Sequence, residues 1–239
     1  MWQSDFINFY NEWHMDRLDN IFWHCLRGPQ SHLAIGSGAV RRLAPGYCPI
    51  AGFEEAGVPD FAALEPLCAP GEQLYCVGWR GRAPDGWRVD AESTTHCLLW
   101  EAPIPANDPA PDAEKLGREH AAAAVELAQL GGVGPFGLRS IELGDYFGYF
   151  DNGRLVAMAG ERFAADGLRE ISGVCTHPDF SHCGMDRRLV VKLARRQLMR
   201  GEKPFIHVFH ENVAAHRLYQ RLGFRSHSSA AARLVSRCG

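Results

Sequence analysis

The chain lacks most of the features that announce a function at once. No apolar run approaches the roughly 20 residues that a helix needs to cross a bilayer. An excess of one charge is missing too. The formal net charge of the 239 residues is −3, so there is no chain-wide basic footprint, and nucleic acid is not an expected partner. No Cys-x-x-Cys pair occurs. Cys25, Cys48, Cys68, Cys76, Cys97, Cys175, Cys183 and Cys238 are spread along the chain, several of them inside apolar runs. Free thiols in a reducing cytosol are therefore expected, not a disulfide frame. No metal is expected, because His96-Cys97 and His182-Cys183 are isolated pairs without the clustered ligands of a zinc site. The opening MWQSDFINFYNEWHMDRLDN has neither the basic start nor the apolar stretch of a secretory leader. A cytoplasmic location with no membrane partner is the expectation.

What is there is globular. Hydrophobic residues make up 46% and charged residues 22%, which excludes a disordered or collagen-like chain. The length suits one large or two modest domains. The stretch Ala102–Asp112 (APIPANDPAPD) holds four prolines; proline removes a backbone donor and disfavours helix before it, so 102–112 reads as an extended linker. It sets off a smaller N-terminal α/β domain, 1–101, from a domain spanning 113–239.

In the first part, a helix is expected from Phe6 to Arg27, stopped by Gly28-Pro29. Strands are expected over 32–40, 73–79 and 96–100, with a short helix over 59–68. In the second, Ala113–Leu130 is rich in strong helix formers and ends at Gly131-Gly132. Tyr146–Phe150 and Arg154–Phe163 flank Asp151-Asn152-Gly153, a hairpin turn signal because both central residues must take positive φ. Strand Leu168–Thr176, helix Gly184–Arg200, strand Pro204–Phe209, a helix capped by Asn212 and ended by Gly223, and a strand from Phe224 complete a mixed α/β pattern.

One junction carries chemistry. A strand ending at Thr176 feeds a loop, His177–Cys183, into a helix that starts at Gly184, and free N–H groups at a helix N-terminus form an anion site that suits a diphosphate. Beyond it, Tyr219 follows Ala215 by four residues, so both share one face of a helix capped by Asn212. Arg188, Lys192 and Arg195 form a basic stripe, read as a solvated face or as a contact for the ribose phosphate of a nucleotide cofactor.

Glu170-Ile-Ser-Gly-Val-Cys-Thr-His-Pro-Asp-Phe180, followed by Asn212…Ala215…Tyr219…Gly223-Phe224, resembles the GNAT superfamily of N-acetyltransferases over roughly residue 112 to the end. The aromatic first half is similar, more weakly, to the degenerate GNAT-like half of some bacterial members. The resemblance implies an α/β (α+β) fold with a mixed, mostly antiparallel central sheet flanked by helices. It implies transfer of an acetyl group from acetyl-CoA to an amine by direct attack in a ternary complex. The acceptor would be a small-molecule or peptide amine, and a homodimer is compatible with the sequence. By the same resemblance Val174, Cys175 and Thr176 offer backbone groups to pantetheine, and Asn212 lies near it. Ser181, His182, Cys183, Gly184, Met185, Asp186 and Arg187 hold the diphosphate. Tyr219 protonates the leaving thiolate. The loop 131–145, with the N-terminal half as a further contributor, would shape the acceptor end.

The attacking amine must be neutral, so a nearby base is useful. Glu170 is the first candidate, against a reading as an exposed strand charge, and His207 on the adjacent strand is the second. Cys175 is expected to be inert in its apolar strand.

The loop departs from the family pattern Arg/Gln-x-x-Gly-x-Gly/Ala. Here it reads Ser181-His182-Cys183-Gly184-Met185-Asp186, and Asp186 stands where a tiny residue is usual. A carboxylate about 4 Å from one phosphate charge costs up to ~4 kcal/mol at an effective dielectric near 20. A helix dipole returns only about 0.3–2 kcal/mol. Asp186 is harmless only if it turns outward or is neutralised by Arg187 and Arg188. A non-catalytic GNAT-fold ligand-binding or scaffold protein is therefore the alternative.

Overall fold

The computed structural model describes residues 17–134 and 136–238. Positions 6–16 of the expected first helix, and position 135 of the loop 131–145, lie outside them. The helix that is described, α1, spans Ile21–Arg27. The glycine-broken run after it makes two strands, not one. β1 (Ala34–Ile35) and β2 (Val40–Leu43) are separated by Gly36 and Gly38, both at positive φ, where the chain reverses. With β3 (Ala51–Phe53) they form a small antiparallel sheet. Helix α2 (Phe61–Leu64) starts where Asp60 accepts a hydrogen bond from the Ala63 N–H at 2.9 Å.

The other strands build one sheet of eight. They are β4 (Gln73–Val77), β5 (Trp87–Trp100), β6 (Glu114–Leu116), β7 (Tyr146–Asp151), β8 (Arg154–Ala165), β9 (Leu168–Thr176), β10 (Lys203–Phe209) and β11 (Phe224–Arg237). Their order is β4-β11-β5-β10-β9-β8-β7-β6, and every neighbouring pair is antiparallel except β9 with β10. The smaller α/β portion before the Pro-rich stretch keeps the three-stranded sheet, but its last two strands cross into the large one. β5 is inserted between β10 and β11.

Two expectations change in detail. The segment 113–130 is not helical throughout. Its start forms the edge strand β6 against β7, which buries Leu116, and helix α3 runs only over Ala121–Leu130. The strand expected over 96–100 begins at Trp87, because its polar half Asp90–Thr94 is held by ladder bonds to β11 instead of by burial. The hairpin is as expected, with Asn152 at φ +48° and Gly153 at φ +81°.

Both faces of the large sheet are covered. Along β5, Leu98 and Trp100 enter the core beneath helices α4 (Met185–Met199) and α5 (Val213–Leu222), while Cys97 and Leu99 enter the core beneath α1. That alternation is the period of two of a strand. Leu189, Val190, Leu193 and Ala194 form the fully buried face of α4 against this sheet. Truncating one such leucine to alanine costs about 2–5 kcal/mol.

The basic stripe of α4 has a role that neither expectation covers. Arg188 Nε donates to the Pro109 carbonyl at 2.8 Å and Arg195 Nε to that of Pro105 at 3.0 Å. Lys192 Nζ, buried, reaches Asp108 Oδ2 at 2.6 Å and the Ala110 carbonyl at 2.9 Å. The stripe pins the Pro-rich stretch along the helix.

Candidate active site

β9 and β10 lie side by side only at their beginnings. The parallel ladder pairs Lys203 with Leu168, Pro204 with Arg169 and Phe205 with Glu170, and then it stops. From there β9 stays with β8, and β10 stays with β5. The two strands diverge, and a cleft opens between them. Ile171–Val174 form one wall and Ile206–Phe209 the other.

The β9 wall is irregular where it meets the cleft. Met158 faces Cys175 and Gly160 faces Ser172, so Gly173 and Val174 together oppose Ala159 alone. This is a β-bulge, which leaves the extra residue unpaired. Gly173 has φ +63°, and a Cβ there would come within 3.1 Å of the Tyr146 ring and 3.3 Å of Phe136. The conformation favours glycine, and any side chain there would press on both rings.

At the apex of the wedge lies a buried charge cluster. Glu170 is fully buried, not an exposed strand charge. Arg162 on β8 grips it with two hydrogen bonds, Nε to Oε2 at 2.8 Å and Nη2 to Oε1 at 2.7 Å. His207 Nδ1 lies 2.8 Å from Oε1. Burial raises the carboxyl, but Arg162 and then His207 outweigh it and hold Glu170 down at about 2. Burial lowers the imidazole, but Cys97 and Glu170 outweigh it and lift His207 to about 9. Phe22 stacks on the His207 ring with centroids 5.4 Å apart. His207 and Arg162 line the cleft, whereas Glu170 stands behind them.

Helix α5 closes the cleft's mouth. Asn212 Oδ1 accepts from the Ala215 N–H at 3.1 Å, fixing the first turn. Asn212, Ala215 and Tyr219 all line the cleft. Tyr219 is buried, edge-on to Phe224 with ring centroids 5.9 Å apart, and burial, followed by the negative charge of Asp186, pushes its phenol up. Gly223, at φ +110°, ends the helix where a Cβ would strike Ala102.

The loop before α4 folds tightly. Ser181 Oγ donates to the Pro178 carbonyl at 2.7 Å, and His182 and Gly184 take φ +71° and +70°. His182, Cys183 and Arg187 are exposed, while Met185 packs on the core. Nothing lies within 4 Å of a Cβ placed on Gly184, so the peptide there is open. Asp186 is half-buried, and its Oδ1 accepts from the Arg187 N–H at 2.7 Å. Arg188 does not neutralise it, because that guanidinium is paired with Asp112. Val174 lines the cleft, and Cys175 points away into the core beside Met158, its thiol raised to about 12 by burial. That thiol is inert at neutral pH. Thr176 Oγ1, at the end of the same strand, is buried without a hydrogen-bond partner.

A family model described as FR47-like protein matches residues 146–233, which contain the diverging strands, the loop and α5. A solved structure from Novosphingobium aromaticivorans DSM 12444, assigned to the GNAT family of acetyltransferases, is 33% identical. The alignment covers 93% of this chain and 99% of that one, with a TM-score of 0.82. The chain belongs to the GNAT family. The GCN5-related N-acetyltransferase of Kribbella flavida (19% identity, 93% and 95% of the two chains, TM-score 0.60) shares its fold. So does the GCN5-related N-acetyltransferase-like protein of Streptococcus suis 89/1591 (16%, 92% and 98%, TM-score 0.58). No protein of curated function matches the chain.

GNAT acetyltransferases use acetyl-CoA. The thioester end of that molecule fits the residues present: the bulge at Gly173 and the cleft face of α5 are an unfilled polar and apolar lining, and the orphaned Thr176 Oγ1 lies just beyond it on β9. The diphosphate end fits less well, because Asp186 already takes one of the free N–H groups of α4. Among the described residues no group of three or more His, Cys, Asp or Glu could hold a metal, and no helix is long and apolar enough to cross a membrane.

Of the residues that the sequence motifs single out, Val174, Asn212 and Tyr219 line the cleft, whereas Gly184 and the rest of the loop 181–187 do not. Sequence reasoning missed Arg162 and the aromatic wall from the first half, Phe22 and Tyr75. Arg162 carried a signal: it is one of two charges inside the otherwise apolar run of β8 after Arg154. Phe22 and Tyr75 carried none, since nothing local ties α1 or β4 to β10.

Proposed function

We propose that the protein is an N-acetyltransferase that moves an acetyl group from acetyl-CoA to a primary amine by direct attack. The divergence of β9 from β10 beyond Glu170 and Phe205 carries this reading. It opens a slot between two strands, with bulged backbone on one side and Tyr219 at its mouth.

Bound acetyl-CoA supplies an activated acetyl carbon. Backbone groups of Val174, Cys175 and Thr176 with Asn212 hold the pantetheine arm, and the loop from Ser181 to Arg187 faces the diphosphate. Unpaired peptide N–H groups at the bulge favour negative charge on the carbonyl oxygen as the amine attacks. The C–N bond forms, the C–S bond breaks, one proton leaves nitrogen and one reaches sulfur. Tyr219, kept protonated by burial, gives the proton to sulfur. His207 takes the proton from nitrogen, because it lines the cleft and Glu170 does not. A carboxylate held near 2 is too weak a base for an amine. Glu170 acts instead as a positioning residue that fixes the His207 ring, as a carboxylate orients a catalytic histidine elsewhere. The reaction is tested by the free thiol released from acetyl-CoA when an amine is added. Tyr219→Phe should lower kcat roughly 10²-fold, and unchanged turnover would remove Tyr219 from the acid role.

Asp186 supports a second reading, a GNAT-fold binding module without transfer. Titration calorimetry with acetyl-CoA separates the two. Asp186→Asn is expected to tighten binding about tenfold or more, by removing a negative charge next to a diphosphate. Equal affinities would mean that Asp186 does not oppose the cofactor. No binding by either protein would favour the second reading.

A further inference from the structure

The charge inventory of the cleft narrows the acceptor. Among the described residues that line it, Arg162 and His207 are the charge-bearing side chains, and no Asp or Glu is present. The other ionisable groups stay neutral: burial raises the Tyr146 and Tyr219 phenols and lifts the Cys48 thiol to about 11. Glu170, behind the wall, has both oxygens occupied by Arg162 and His207. A polyamine or a lysine-rich peptide would therefore bring cations into a cleft whose interior offers them no free carboxylate, since Glu92 and Glu211 stand only in the adjoining outer hollow, and desolvating a cation without a partner is costly. The Arg162 guanidinium, by contrast, spends Nε and Nη2 on Glu170, and its other partner among the described residues is the Cys48 thiol, a weak acceptor. The surrounding wall is aromatic: Tyr75 lies 6.3 Å from Phe209 and Phe136 lies 5.6 Å from Tyr146, centroid to centroid.

From this lining we infer that the acceptor is an amine bearing a carboxylate of its own, an amino acid or close analogue with an apolar or aromatic side chain. Arg162 receives the carboxylate on its Nη1 edge, the aromatic rings receive the side chain, and the amine faces the thioester beside His207. The assignment deepens the acetyltransferase reading and rests on it, yet it can be tested without turnover.

Three probes are titrated calorimetrically into the protein without acetyl-CoA: 3-phenylpropionate (carboxylate, no amine), 2-phenylethylamine (amine, no carboxylate) and phenylalanine. The two carboxylates should bind at least about tenfold more tightly than the amine, the discrimination expected of one charge-assisted contact. Arg162→Gln combined with Glu170→Gln removes the guanidinium together with the carboxylate it pairs with, so neither is left buried without the other, and should abolish the preference. A wild-type preference for phenylethylamine, or no measurable binding of any probe, overturns the inference. So does a carboxylate preference that survives in the folded double variant. Acetyl-CoA binding, measured separately, tells the two failures apart. If acetyl-CoA binds and the carboxylates do not, only the acceptor class falls. If the reverse holds, only the transfer reaction falls.

Discussion

A carboxylate sunk beneath a strand survives only with partners, and Glu170 has two. Removing Arg162 breaks the bidentate pair and leaves the carboxylate with His207 alone, a loss of the kind that costs about 3–5 kcal/mol in a buried pair. The same cluster makes stability and activity answer to pH in opposite directions. His207 is raised from its ordinary 6.5 to about 9. Its contribution to folding is complete below 6.5 and is lost as pH climbs through 9. Glu170, depressed from 4.5 to about 2, contributes above 4.5 and loses its effect only as pH falls toward 2. Between 6.5 and 9 the native state should therefore lose on the order of 1–3 kcal/mol, while kcat/KM should rise as the neutral imidazole appears. Thermal melts and initial rates on one pH series check this, with His207→Gln expected to flatten both curves. A falling kcat/KM across that window would remove His207 from the base role. Glu170 and His207 were legible as ionisable groups on adjacent strands, but which of them faces the cleft was not. That depends on Arg162, and a third strand decides where its guanidinium lies.

Elements whose ends are set by local chemistry were readable, and elements set by distant pairing were not. The Asn152-Gly153 turn, the Asn212 cap and the Gly223 stop each contain their own cause, and each stands where the pattern placed it. β6 does not: Glu114-Lys115-Leu116 favours helix locally and becomes a strand because β7 offers it an edge. The basic face of α4 shows the same limit, since its meaning depends on a segment some eighty residues earlier. Lys192 makes the case testable. Its Nζ bonds the Ala110 carbonyl and Asp108, and it lies 4.9 Å from the centre of the Phe147 ring. Lys192→Ala should cost about 1–3 kcal/mol, because a buried carbonyl loses its donor. Limited proteolysis should then cut faster within 102–112. Denaturant unfolding that matches wild type, with an unchanged cleavage rate, would mean that the segment holds itself in place.

At the scale of the molecule, the proline-rich stretch divides the sequence, whereas the large sheet joins its two sides. β5, from before that stretch, lies between β10 and β11 from after it and hydrogen-bonds to both. Without β5, the fragment 113–239 would present two unpaired strand edges where the cleft's β10 wall now has its neighbour, and exposed edges of that length invite aggregation. Part of the aromatic wall would go as well, because Phe22 and Tyr75 belong to the first part while Phe136, Tyr146 and Phe209 belong to the second. The motifs that carry the resemblance to GNAT proteins lie in the second part, and the weaker likeness of the first part names no residue, so it does not reveal which side chains of the first part complete the cleft. Residues 113–239 expressed alone should therefore be insoluble or molten, without a cooperative melt. Co-expression with residues 1–101 as a separate chain should restore a soluble complex, since the linker supplies connection and surface packing but no strand. A fragment 113–239 that melts cooperatively as a monomer and binds acetyl-CoA like the full chain would show that β5 is dispensable to the site. The cleft would then be the property of one half, and the first half would have to be assigned some other task.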